Sequence, residues 1–83
     1  MDYYQVMIEI GQIKEVLSAV IDVPLGEIND DASIDDLEAW DSLAQMNLVI
    51  ALEEEFEITI PDEEVGTMLS LPLILSLLNE IIQ

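Results

Sequence analysis

A small all-α bundle of four helices, three long and one reduced to a single turn, is the fold this sequence predicts. In three separate segments apolar residues recur with the spacing of one helix face. Val23-Pro24 with Gly26, and later Ile60-Pro61, punctuate those segments as helix-ending signals do. A length of 83 residues at 52% hydrophobic suits a single domain over residues 1–83 with one core. A chain of this size buries only about two thirds of its unfolded surface, so its stability should be modest.

The first helix is expected from about Asp2 to Ile21. Tyr3, Val6, Ile10, Ile13, Leu17 and Val20 form its stripe, and Asp2 is placed to cap it. Gly11 inside this run costs up to about 1 kcal/mol relative to Ala. A long acidic connection follows from Asp22 to Trp40, in which Ile28, Ile34 and Leu37 are spaced too irregularly for a helix but suit anchoring on a core. Connections of this length in small domains are usually functional or disordered, and buried apolar anchors favour the functional case. The second helix is expected from Asp41 or Ser42 to about Phe56. Leu48, Val49, Leu52 and Phe56 make one face, with Met46 and Ile50 on an adjacent one. Asp62 to Val65 reads as one helical turn behind Pro61, with acids at its positive end. Ser70 is placed to cap the last helix, which carries Pro72 in its first turn and ends near Ile82. Its face is Leu71, Ile74, Leu78 and Ile81, yet Leu73, Leu75, Leu77 and Ile82 leave the other sides apolar as well. That excess suits either an interior that opens for an apolar chain or burial against a partner or second copy.

Composition removes many functions. Nineteen acids against one basic residue, Lys14, give a formal charge of −18. That sign excludes nucleic acid and an anionic membrane surface as direct partners, since both are bound through cationic side chains. Basic patches on proteins are the expected partners. Without cysteine or histidine the chain has no disulfide, no zinc–thiolate site, no thiol nucleophile and no ordinary neutral-pH base. No EF-hand spacing is present, so no metal site is expected beyond weak divalent-cation association with the acids. The N-terminus begins Met1-Asp2-Tyr3-Tyr4, unlike a signal peptide, and the most apolar stretch, Met68 to Leu78, is too short to span a bilayer. No membrane insertion is expected, and a monomeric cytoplasmic protein is.

One tripeptide stands out. With Asp41 as N-cap, its carboxylate accepts from the amide of Leu43 or Ala44, and Ser42 becomes the first helical residue with its hydroxyl toward solvent. Unpaired amides and the positive end of the helix dipole sit beside that hydroxyl, an arrangement suited to an anion, including a phosphate esterified to the serine. A serine acting alone as nucleophile needs an adjacent base, and none is near in sequence. Ser42 is therefore acted upon by another enzyme, or is merely part of an ordinary helix start.

The surroundings of the tripeptide are more specific. Asp41-Ser42-Leu43, then Leu48-Val49-Ile50-Ala51-Leu52-Glu53-Glu54-Glu55-Phe56, then Ile58-Thr59-Ile60-Pro61-Asp62-Glu63-Glu64, resembles the acyl carrier protein family over nearly the whole chain. The resemblance implies an acyl-carrier-like bundle in which a phosphopantetheinyl transferase moves 4′-phosphopantetheine from coenzyme A to Ser42, with Asp41 and Leu43 flanking the attachment. Acyl groups then ride as thioesters on that arm, which supplies the sulfur the chain lacks. It also implies a recognition helix over residues 42–56, read by basic patches on the transferase and on acyl-loading and synthase enzymes. The expected partner surface comprises Met46, Ile50, Glu53, Glu54, Glu63 and Trp40. Trp40 reads first as a loop anchor, although Gln45 offers it no apolar staple partner in the first turn.

Ala44, Gln45, Met46 and Asn47 are uncharged where housekeeping fatty-acid carriers place acids, and Trp40 replaces a small residue. These departures point to a dedicated carrier of a polyketide, hybrid or specialised lipid pathway. A non-catalytic carrier is the expected function. An aminoacyl or peptidyl carrier shares the serine and the bundle, and an acidic helical interaction module without a prosthetic group would use Ser42 only as part of a cap. An enzyme lacks support, since no base, ligand set or oxyanion hole is evident.

Overall fold

A computed structural model describes residues 7–82, and its elements are helical: α1 (Ile10–Ile21), α2 (Ser42–Phe56), the single turn α3 (Asp62–Val65) and α4 (Leu71–Ile82). Helix α1 packs against both α2 and α4. The core is built from the stripes the periodicity predicts, with Ile13 and Leu17 of α1, Leu48 and Leu52 of α2, and Leu71, Ile74 and Leu78 of α4 fully buried. Each such side chain contributes roughly 1.5–3 kcal/mol by leaving water.

The first helix is shorter than expected. It starts at Ile10, not Asp2, and the Asp2 cap falls outside the described residues. Two contacts, one local and one from α4, explain the late start. The Gln12 side chain reaches back to accept from the Glu9 amide at 2.8 Å, which caps the helix there. Asn79 of α4 clamps the preceding residue through both backbone groups. Its Oδ1 accepts from Ile8 N at 2.8 Å, and its Nδ2 donates to Ile8 O at 3.1 Å. Ile8, which lies off the predicted stripe, is accordingly buried, whereas Ile10 is only half-buried. At the other end α1 stops at Ile21 as expected, with Asp22 in the left-handed region (φ 59°) and its amide bonded to Ser18 O.

The connection from Asp22 to Trp40 is ordered by contact with the bundle. It holds a short 3-10 turn, Leu25–Glu27, and buries Ile28, Ala32 and Trp40, while Ile34 and Leu37 pack half-buried against the core. An isolated antiparallel bridge fastens it to the start of α4. Ile34 N donates to Leu69 O at 2.8 Å, and Leu71 N donates to Ala32 O at 2.9 Å. Ser70 caps α4 as expected, its Oγ accepting from Leu73 N at 3.3 Å.

Charge is the main opponent of this fold. Among the described residues Lys14–Asp30, at 2.9 Å, is the one ion pair, and Lys14 is the only basic side chain in the sequence, so the other described acids have no basic side chain paired with them. The melting temperature should therefore rise by several degrees on going from about 10 mM to about 150 mM salt, because the Debye length contracts from about 30 Å to about 8 Å. A thermal melt followed by circular dichroism checks this, and a melting temperature unchanged by salt would show that repulsion does not limit stability.

Candidate functional site

Helix α2 begins at a well-defined corner. Asp41 is extended (φ −105°, ψ −169°), and its Oδ1 accepts from Ala44 N at 2.9 Å, the second of the two amides considered from the sequence. Its carbonyl accepts from Gln45 N at 2.8 Å. Ser42 is then the first helical residue, exposed to solvent, and the amides of Ser42 and Leu43 have no partner among the described residues. A hydroxyl beside open first-turn amides at a helix N-terminus can hold a phosphate ester without a basic side chain. None is at hand, since Lys14 is bonded to Asp30.

What fixes this corner is a pair that the apolar pattern did not reveal. Trp40 is 2% exposed, and its indole Nε1 donates to Gln45 Oε1 at 2.7 Å. The Gln45 amide nitrogen donates onward to Val65 O at 3.2 Å and Met68 O at 3.0 Å, so one carboxamide joins the start of α2 to the α3–α4 connection. Trp40 and Gln45 occupy the two positions at which an apolar staple closes a helix start, and here a hydrogen bond does the closing. The signal was present in the sequence: Gln45, Leu48 and Leu52 stand at i, i+3 and i+7, which places the glutamine on the buried face.

The expected partner residues divide. Met46 and Ile50 are 55% and 53% exposed, and with Leu43, at 72%, they form an apolar stripe on the outer face of α2 beside Ser42. Glu54 is exposed one turn beyond Ile50, and Glu63 is exposed on α3. Trp40 is corrected: its burial and its bond to Gln45 remove it from any partner surface and make it the loop anchor. Glu53 is half-buried, and its Oε2 accepts from Ile60 N at 2.8 Å, so this carboxylate is engaged in holding the turn after α2. The apolar excess of α4 is partly outward, with Leu73 exposed and Leu75, Leu77, Ile81 and Ile82 packed half-buried against the core.

Residues 11–79 match the family described as "Phosphopantetheine attachment site". The chain belongs to that family. Members of the phosphopantetheine attachment family bear a covalently attached 4′-phosphopantetheine, and the open hydroxyl and amides at the head of α2 fit such a group. Acyl carrier proteins from two strains of Buchnera aphidicola subsp. Acyrthosiphon pisum, Tuc7 and 5A, are each 50% identical over 54 residues, 64% of this chain. The matched segment spans 66% of the length of those relatives. A non-reducing polyketide synthase, Preu3 of Preussia isomera, is 37% identical over 59 residues, which is 71% of this chain but 2% of that much longer protein. Among the described residues no helix is long and apolar enough to cross a membrane.

Proposed function

We propose that this family member is a non-catalytic acyl carrier whose 4′-phosphopantetheine is attached through Ser42 Oγ, and that it serves a polyketide, hybrid or specialised lipid pathway. The observation that carries the reading is the exposed Ser42 hydroxyl at the first position of a helix whose cap is made by Asp41 alone. When bound, the arm supplies the thiol on which acyl groups are held as thioesters, a function no side chain of this cysteine-free chain can perform.

The chain's own residues hold and present. Asp41 satisfies the Ala44 amide and so keeps the helix start rigid without occupying the serine hydroxyl. The Ser42 and Leu43 amides, with the positive end of the dipole, face the place where a phosphodiester is esterified. Leu43, Met46 and Ile50 offer an apolar contact strip to the transferase and to acyl-loading and synthase enzymes, while Glu54 and Glu63 attract their basic patches and speed encounter. The specialised pathway is supported by the uncharged run from Ala44 to Asn47 and by the likeness to a polyketide synthase segment.

Incubation with coenzyme A and a phosphopantetheinyl transferase should raise the intact mass by one phosphopantetheine. A chain left unmodified by several transferases of differing breadth would overturn the reading. Loading assays with acyl-coenzyme A against adenylated amino acids then test the acyl assignment, which fails if only the amino acids load.

A further inference from the structure

A second surface lies on the flank of the molecule, between α1 and α2 and away from the apolar strip beside Ser42, sharing only Glu54 with the partner surface proposed above. Here Val16 and Ala19 of α1 and Ala51 of α2 form the floor of an open groove of about 520 Å³. The groove exists because alanine stands at two of these positions, leaving a trough where longer side chains would fill the seam between the helices. Glu15 on one bank and Glu54 and Glu55 on the other are exposed, and none of the three has a hydrogen-bond or ion-pair partner among the described residues. The chain's single basic side chain, Lys14, is bonded to Asp30 and not to any of them.

We infer that this groove is a docking site for a basic amphipathic helix of a partner protein. An apolar floor between two anionic banks is complementary to a helix with an apolar seam and Lys or Arg on both sides of it. Anionic lipid and nucleic acid are unsuited by sign, and a second copy of this chain would set carboxylates against carboxylates. The position adds a consequence. Glu54 follows Ser42 by twelve helical residues, about 18 Å along the axis at 1.5 Å per residue, so a helix seated in the groove leaves the serine open. The carrier can then stay tethered to one protein while Ser42 is presented to another. That consequence rests on the function proposed above; the docking site does not.

The probe is a synthetic helical peptide with a Leu/Ala seam flanked by Lys and Arg, titrated into the full chain and followed by amide chemical shifts. The largest shifts are expected at Val16, Ala19 and Ala51. Glu15→Lys with Glu55→Lys should weaken binding about tenfold or more, whereas Glu27→Lys with Glu80→Lys, an equal change in net charge away from the groove, should weaken it by about twofold at most. Ala19→Phe, which fills the trough from an exposed position, should weaken binding as strongly as the groove charge reversals. Equal weakening by the two charge pairs, or shifts centred on Leu43, Met46 and Ile50, would overturn the inference. Intact-mass analysis of the same samples with coenzyme A and a transferase reports on Ser42 separately, so failure of attachment and failure of docking are distinguishable.

Discussion

Replacing Ser42 with alanine is expected to abolish phosphopantetheine attachment completely while leaving the fold intact. The two halves of this result have different physical origins. Attachment needs an oxygen at that position, and no neighbour can substitute: Leu43 and Ala44 follow it, and the Asp41 carboxylate is turned onto the Ala44 amide at 2.9 Å. The fold has no comparable need for the hydroxyl. Ser42 is exposed, the cap is made by Asp41, and a solvent-facing substitution of this kind changes stability by no more than about 0.5 kcal/mol. Intact mass after treatment with coenzyme A and a transferase should show no gain for Ser42→Ala, and its melting temperature should match the wild type within a few degrees. A residual mass gain on the variant would move the attachment to another residue. A collapse in melting temperature would mean that the hydroxyl has a structural role absent from the arrangement described.

Gln45→Leu should destabilise the protein by about 2–4 kcal/mol, although it puts a more hydrophobic residue at a buried position of similar size. Leucine cannot accept from Trp40 Nε1 or donate to Val65 O and Met68 O, so the indole N–H and the Met68 carbonyl would be left unpaired inside the fold, while Val65 O would keep only its bond from Met68 N. For a domain of this size that corresponds to a fall in melting temperature of roughly 10–25 °C. Gln45→Glu should be worse at neutral pH. It keeps an acceptor for the indole but sets a buried carboxylate against two carbonyl oxygens, with no cation nearby. Denaturant unfolding of the two variants beside the wild type checks the order. A leucine variant as stable as the wild type would show that the network contributes nothing net.

The three long stripes were legible in the sequence because each alternates spacings of three and four over several turns, and Leu48, Leu52, Leu71, Ile74 and Leu78 are all buried as that pattern requires. Pro61 and Ser70 marked the starts of α3 and α4 through local chemistry that does not depend on tertiary contacts. The start of α1 was not legible. Tyr3, Val6 and Ile10 continue the helical period, but the competing claim on the backbone at Ile8 comes from Asn79, 71 residues away. At the site, Asp41, Ser42 and Leu43 announced themselves through capping rules. The Trp40–Gln45 pair did not, because reading a staple means looking for two apolar residues. Glu53 belongs to the same class: as one of four glutamates within five residues it reads as solvated charge, and its bond to Ile60 N depends on a turn that brings the chain back past the helix.

Trp40 is the only tryptophan in the chain, and it lies two residues before Ser42, the serine proposed for attachment, with its indole bonded to the helix that bears that serine. Nature has thus built an optical gauge into the working end of the molecule. Any event that levers the head of α2 away from the α3–α4 connection must lengthen or break the Trp40–Gln45 bond and admit water to the ring, shifting its emission to the red. Any step that opens this corner can be followed in real time on the unlabelled protein, wherever added proteins contribute a constant background.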